Sequence, residues 1–270
     1  MLSDIAALAD RTLGEHLLFA CLTGSSLDGA APGRDIDVIA VLRDETPPAA
    51  AVGMRLGFST GYARLHARFG LRPDPDWPGE VLFARDLATG WAGAAFRRDS
   101  TGAIRPGPLE EPWRYWISMV VGGTAVRGTA AHREQALRCA VALVRQQLST
   151  LLPAGGEITE EQVFTAPGWW QDWRLPPAAG PRGRMVTTRL RQAAGVLAGR
   201  GEIRTRDGRI TVSASAVHRW GEALHTAAAA PPLDAYQVQY CMAAAQAHRE
   251  AAPQSYGKEH SLDEPSIGSS

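Results

Sequence analysis

Residues 22–42 read LTGSSLDGAAPGRDIDVIAVL, and this stretch carries the strongest signal in the chain. A Gly-Ser-Ser turn follows one apolar run, and Asp35 and Asp37 open the next apolar run with one isoleucine between them. Because side chains alternate along a strand, the two aspartates point to the same face. Neighbouring carboxylates repel each other unless a cation lies between them, and such oxygen ligands suit Mg²⁺, which usually comes with substrate phosphates. The stretch therefore predicts a site for a divalent cation and a phosphorylated ligand.

The same stretch resembles the signature of the DNA polymerase β-like nucleotidyltransferase superfamily. That signature is an apolar strand, Gly-Ser, a spacer, and Asp-x-Asp flanked by aliphatic residues, and here Gly24-Ser25 and Asp35-Ile36-Asp37 fill it. The resemblance implies an enzyme that uses two Mg²⁺ ions to move an NMP from an NTP to a hydroxyl, with release of pyrophosphate. In the alternative interpretation, Asp35 and Asp37 are solvated residues at the start of a strand and Gly24 is merely a turn.

The resemblance also assigns roles to carboxylates. Asp35 and Asp37 would bind the metals, and the family takes a third carboxylate from the following strand. Glu80 is the best positional match, as a metal ligand and as a candidate acceptor for the proton of the attacking hydroxyl. Asp86 is the alternative third carboxylate, although it could instead cap a helix. Glu80 could also be a solvated residue at the start of a strand.

The turn supplies candidates for binding phosphate. Glycine at position 24 lets the backbone approach a triphosphate, and Ser25 and Ser26 open a short helical turn whose amides and hydroxyls can donate to phosphate oxygens. Arg34 lies beside the aspartates and could reach a phosphate, although an arginine there more often balances local acids. We include Gly24, Ser25, Ser26 and Arg34 in the predicted nucleotide site.

Composition limits the class of protein. The chain has 270 residues, 45% of them hydrophobic and 21% charged, which is typical of a globular protein. Its formal net charge is zero, so no global field attracts it to nucleic acid or an anionic membrane. Lys258 is the only lysine, so a side-chain cation that binds phosphate in the folded body must be arginine or histidine. Arginine in place of lysine, with abundant alanine and glycine, is typical of a GC-rich bacterial genome.

Several features predict a soluble cytoplasmic protein. The three cysteines, Cys21, Cys139 and Cys241, lack the spacing of a metal site, and the first two are predicted to be buried. The N-terminus lacks the basic and apolar segments of a secretion signal, and no window is long and apolar enough for a membrane span.

The predicted fold class is α+β. Residues 1–108 would form a catalytic domain with the nucleotidyltransferase fold, a mixed sheet with flanking helices. Hydrophobic periodicity predicts, in order, a helix from Ser3, a strand over Leu17–Leu22, a strand over Ile36–Leu42, a helix over 51–70 and a strand over Glu80–Arg85. This is the element order that the resemblance implies.

A mainly helical acceptor or auxiliary domain is predicted over residues 109–252, followed by a disordered tail over 253–270. Helices are predicted over 131–152 and 186–199, and Asp207-Gly208 predicts a hairpin that would complete a unit resembling a winged helix. A helical second domain is also similar to the aminoglycoside nucleotidyltransferases, in which it helps to form the acceptor pocket.

Other polar and aromatic side chains have two interpretations each. Eight arginines and two acids give segment 182–209 a net charge of +6, which suits either a nucleic-acid surface or, as we favour, a solvated helix and hairpin. The tryptophans at 169, 170 and 173 could stack on a ligand or join two layers. His66 and His132 lie in helical patterns and are predicted to be surface residues.

The leading hypothesis is transfer of an NMP to a small-molecule hydroxyl acceptor. A second hypothesis is transfer onto RNA or a protein side chain, as in tRNA-modifying or toxin–antitoxin relatives of the superfamily; nucleic acid is a possible partner but not the favoured one. The third is a non-catalytic nucleotide-binding regulatory module. Neither the NTP, the acceptor nor the oligomeric state follows from the sequence.

Overall fold

A four-stranded mixed sheet forms the centre of the N-terminal half. The structure is a computed structural model that describes residues 1–24, 27, 36–71, 80–88, 95–98, 104–107, 112–165, 180–220 and 246. Its strands are β1 (Leu17–Thr23), β2 (Asp37–Leu42), β3 (Glu80–Phe83), β4 (Ala95–Arg98), β5 (Ile104–Gly107), β6 (Thr124–Arg127), β7 (Gly156–Thr159), β8 (Ile203–Arg206) and β9 (Arg209–Val212). Its helices are α1 (Leu2–Leu13), α2 (Pro48–Arg68), α3 (Ala84–Ala88), α4 (Pro112–Gly122), α5 (Thr129–Leu151), α6 (Glu160–Thr165) and α7 (Pro181–Gly199), with a further helical segment at 214–220.

The strand order of the central sheet is β3-β2-β1-β6. β1 is antiparallel to both of its neighbours, whereas β2 and β3 are parallel. β1 and β2 are buried along almost their whole length, as expected of central strands that are covered by helices on both faces. The α+β class and the order helix, strand, strand, helix, strand at the start of the chain are confirmed.

The two faces of the sheet meet different helices. The Phe19 ring lies 5.3 Å from the His132 ring on α5, and the Thr23 hydroxyl donates to the carbonyl of Met119 on α4 at 3.1 Å. Since side chains alternate along a strand, this face of β1 also carries Cys21. α1 and α2 pack against each other, where an added Cβ at Gly61 would lie 2.3 Å from a Leu8 methyl. This α1–α2 pair and the α4–α5 pair therefore enclose the sheet.

A second, three-stranded sheet of order β7-β9-β8 lies in the C-terminal half. The hairpin predicted at Asp207-Gly208 is confirmed, because both turn residues have positive φ, 49° and 71°, and the β8–β9 ladder closes around them. Glu202 lies at the entry to this hairpin, where Trp220 Nε1 and Arg145 both donate to its carboxylate at 2.8 Å. α5 packs along α7 beside this sheet.

The predicted domain division meets one complication. β6 pairs with β1, so the four-stranded sheet draws strands from both sides of the predicted boundary at 108/109. The division itself and the tail over 253–270 remain predictions, and the tail lies outside the described residues. Over the part of the chain that the structure describes, none of the helices has the length and apolar character that crossing a bilayer would require.

Candidate functional site

Gly24 places the backbone of the turn against the carboxylate of Asp37. The β1–β2 ladder ends at the pair Thr23↔Asp37, and Gly24 follows directly with φ +75°. A Cβ at Gly24 would lie 1.6 Å from Asp37 Oδ2, so no side chain fits there. Glycine is therefore required twice, for its backbone conformation and for the space that the carboxylate occupies.

Glu80 lies on the same face of the sheet as Asp37. In the parallel β2–β3 ladder Glu80 pairs with Ile39, two residues beyond Asp37 on β2. Side chains two residues apart on a strand share a face, and so do paired residues, which puts the two carboxyl-bearing Cα atoms roughly 8 Å apart. That face is the one on which Thr23 contacts α4.

Glu80 is only 4% exposed, so it is not the solvated strand residue of the alternative interpretation. Burial raises the pKa of its carboxyl to about 8, and the Arg55 guanidinium partly offsets this rise. A cation placed beside this buried carboxyl would stabilise its ionised form. Asp86, the alternative third carboxylate, falls within α3, and the Arg85 N–H at the start of that helix is capped by Asp44 Oδ1 at 2.8 Å instead.

Four predicted site residues lie outside the described residues: Ser25, Ser26, Arg34 and Asp35. Within the described ranges no three His, Cys, Asp or Glu side chains group as a metal site, and Asp35, a predicted member of the ligand set, is not among those residues. The two carboxylates that are described fit a hard cation such as Mg²⁺, because both offer oxygen donors from one face of adjacent strands.

Two arginines of α7 bind backbone carbonyls at the end of α4 and beside the turn. Arg182 donates from Nη1 to the Gly24 carbonyl at 2.7 Å and from Nε to the Gly122 carbonyl at 3.0 Å. Arg189 Nη1 donates to the carbonyls of Val121 and of Gly123, the latter at 3.0 Å. The last carbonyls of a helix lack intrahelical donors and carry partial negative charge, so guanidinium groups suit them. Through Arg182, α7 therefore contacts the backbone at Gly24 directly.

Four of the eight arginines in the +6 segment lie near an acid. Arg191, Arg200, Arg206 and Arg209 each lie within 4.0 Å of an acid, which are respectively Glu160, Glu202, Asp207 and Glu157. Arg182 and Arg189 donate to backbone carbonyls, and Arg184 and Arg204 have no ion pair with an acid that the structure describes. Glu202 and Asp207 are already counted in the +6, so Glu157 and Glu160 lower the net charge of this surface only to +4. The Trp169–Trp173 cluster lies outside the described residues.

No family model matches this chain, and a search of the curated proteins finds no match either. A functional assignment therefore rests on the geometry around Gly24, Asp37 and Glu80.

The prediction that His66 and His132 are surface residues is wrong. His66 is completely buried and His132 is 2% exposed. His132 lies 3.1 Å from the Val120 carbonyl, and burial, helped by the positive charge of Arg189, lowers its pKa to about 4. Helical periodicity places both residues on helices, but it does not distinguish the buried face when a histidine stands among small and apolar residues.

We expect Gly24→Ala to disturb Asp37 more than it disturbs the fold. Alanine at positive φ costs roughly 1 kcal/mol of stability, and here its methyl would also displace the Asp37 carboxylate. Gly201→Ala is the matched control, because Gly201 has φ +69° with nothing within 4 Å of an added Cβ. Thermal melting and binding of Mn²⁺ with tripolyphosphate should separate the two variants. An equal loss of Mn²⁺ binding in both variants would show that the contact with Asp37 has no functional consequence.

Proposed function

We propose that this protein is a Mg²⁺-dependent nucleotidyltransferase that moves an NMP from an NTP to a hydroxyl of a small-molecule acceptor and releases pyrophosphate. The observation that carries the proposal is the position of Asp37, which lies against the Gly24 turn and shares one sheet face with the buried Glu80. A turn that needs glycine beside two carboxylates is the arrangement that the sequence resemblance implies for an NTP–metal site.

The carboxylates have distinct parts in this proposal. Asp35, Asp37 and Glu80 would hold the metal ions, whose charge, when they are bound, neutralises the triphosphate and lowers the pKa of the attacking hydroxyl. Glu80 holds its proton near neutral pH because it is buried. A carboxylate with a pKa near the working pH is suited to take the proton of the acceptor hydroxyl at a carboxylate oxygen.

The turn and α7 would position the triphosphate. Gly24 lets the backbone of the turn lie against the Asp37 carboxylate, and Ser25, Ser26 and Arg34 stay predicted contributors to phosphate binding. The Arg182 guanidinium lies at the Gly24 carbonyl. The described residues contain no lysine, so the side-chain cations near this turn are arginines. The hydrogen bonds of Arg182 to the Gly24 and Gly122 carbonyls hold the turn and the end of α4 together, which fixes the backbone that would meet the phosphates.

The test is acceptor-dependent release of pyrophosphate. The full chain would be incubated with Mg²⁺, each of the four NTPs in turn, and panels of hydroxylated small molecules, tRNA and protein. We expect pyrophosphate only with a small-molecule acceptor present, and none after addition of EDTA. Product formed only with tRNA or protein would favour those acceptors instead. If the protein bound neither NTP nor Mn²⁺ with tripolyphosphate, the proposed function would be wrong.

A further inference from the structure

A buried histidine contacts the backbone between the two aspartates of the predicted metal site. The Ile36 N–H donates to His66 Nε2 at 3.0 Å, and Ile36 is the middle residue of Asp35-Ile36-Asp37. His66 belongs to α2, thirty residues further along the chain. The imidazole therefore contacts the backbone next to Asp37 from a helix that contributes no carboxylate to the predicted site.

The hydrogen bonds fix the tautomer of His66. Nε2 accepts the Ile36 N–H, so the ring proton is on Nδ1, where it donates to the Tyr62 carbonyl at 3.1 Å. The ring is thus held at both nitrogens. It also meets the Tyr62 ring edge-on at 4.5 Å, and Tyr62 in turn stacks on Phe58 at 6.3 Å. These side chains form a buried row along one face of α2, which gives the imidazole a fixed position.

The backbone N–H of Ile36, directly before β2, needs a hydrogen-bond acceptor. Ile36 is 1% exposed, and the β1–β2 ladder ends one residue later at Thr23↔Asp37, so ladder pairing does not extend to Ile36. A buried backbone N–H without a partner is destabilising, because it has lost its hydrogen bond to water and gained none in the protein. His66 Nε2 supplies that partner and so fixes the backbone directly before Asp37.

We propose that His66 is a positioning residue that holds the Ile36–Asp37 backbone in the geometry that binds metal and triphosphate. The inference rests on the proposed function, because it assigns His66 a part in that same site. His66 touches neither substrate nor metal in this role. It acts through the Ile36 amide, and a shift of the backbone there moves the neighbouring Asp37 carboxylate.

The test compares substitutions that keep or remove an acceptor at the Nε2 position. His66→Gln carries an oxygen at about the reach of Nε2, whereas the oxygen of His66→Asn stops nearer the helix and His66→Leu offers none. Binding of Mn²⁺ with inorganic tripolyphosphate, measured by electron paramagnetic resonance, requires neither the correct base nor the acceptor. We expect His66→Asn and His66→Leu to weaken Mn²⁺ binding roughly 10- to 100-fold, and His66→Gln to stay within about threefold of the native protein.

His132 provides the matched control. It is also a buried imidazole next to a backbone atom, the Val120 carbonyl, outside the aspartate motif. His132→Gln and His132→Asn should lower the melting temperature without changing Mn²⁺ affinity. If all variants at both positions lost Mn²⁺ affinity in proportion to stability, or if no His66 variant changed it, the positioning role would be wrong. If His66→Leu does not fold, the comparison of His66→Gln with His66→Asn still tests the positioning role. Absence of binding by the native protein would overturn the proposed function itself.

Discussion

Asp37→Asn should abolish nucleotidyl transfer and leave the protein folded. Asparagine has the shape of aspartate, so it still fills the space against Gly24, where a Cβ would come within 1.6 Å of Oδ2. It lacks the negative charge that holds a divalent cation. Because a bound cation contributes several kcal/mol to stabilising charge in the transition state, we expect the rate to fall by roughly 1,000-fold or more.

The position of Asp37 explains why the fold should survive. Its side chain is half-buried at the end of the β1–β2 ladder, while the core strand residues that follow it, Val38 to Leu42, are fully buried. An isosteric change at the ladder end leaves these residues packed. The melting temperature of the metal-free protein should therefore change little, and the loss should appear in pyrophosphate release and in Mn²⁺ binding.

Asp207→Asn is the control for this substitution. Asp207 is exposed in the β8–β9 turn with φ 49°, a conformation that asparagine adopts readily. Removing this charge should alter neither activity nor metal binding. Full activity in Asp37→Asn would show that Asp37 binds no essential metal. The role that the resemblance of residues 22–42 to the superfamily implies for Asp37 would then be wrong.

The parts of the fold predicted correctly are those that depend on local pattern. The ends of β1 and β2 were placed within one residue, since continuous apolar runs bounded by glycine or aspartate leave little choice. The turn at Asp207-Gly208 and the strand that begins at Glu80 have equally local signals. Side-chain alternation then places Asp37 and Glu80 on one face once the parallel register is known.

The parts that the sequence did not predict depend on contacts between distant residues. Arg182 reaches the Gly24 carbonyl across 158 residues, and no local pattern distinguishes it from a solvated arginine. The pairing of β6 with β1 likewise joins strands far apart in the chain. His66 was predicted at the surface because periodicity does not show that an imidazole would meet the Ile36 N–H.

Glu80→Gln should remove activity and, in the metal-free protein, make stability less dependent on pH. The pKa of the Glu80 carboxyl is raised from 4.5 to about 8, mainly by burial. A group with a raised folded pKa contributes its stability fully below the unfolded pKa and loses it as the pH rises through the folded value. Because the unfolded chain releases the Glu80 proton above about pH 4.5 and the folded protein keeps it until about pH 8, the free energy of unfolding should fall by about 2 kcal/mol between pH 6 and pH 8. Glutamine does not ionise, so urea unfolding in EDTA should show a flatter pH dependence.

A bound cation should offset the loss of stability at high pH in the native protein but not in Glu80→Gln. At pH 8 the ionised Glu80 would bind Mg²⁺ with tripolyphosphate, and a ligand that binds only the folded state stabilises it by mass action. Glu80→Gln lacks the charge and should gain much less. Glu157→Gln, which removes an exposed carboxylate on β7, should behave like the native protein in both respects. Equal stabilisation of Glu80→Gln by the ligand would mean that the metal binds without Glu80. A pH dependence as steep in Glu80→Gln as in the native protein would mean that folding does not raise the pKa of the Glu80 carboxyl.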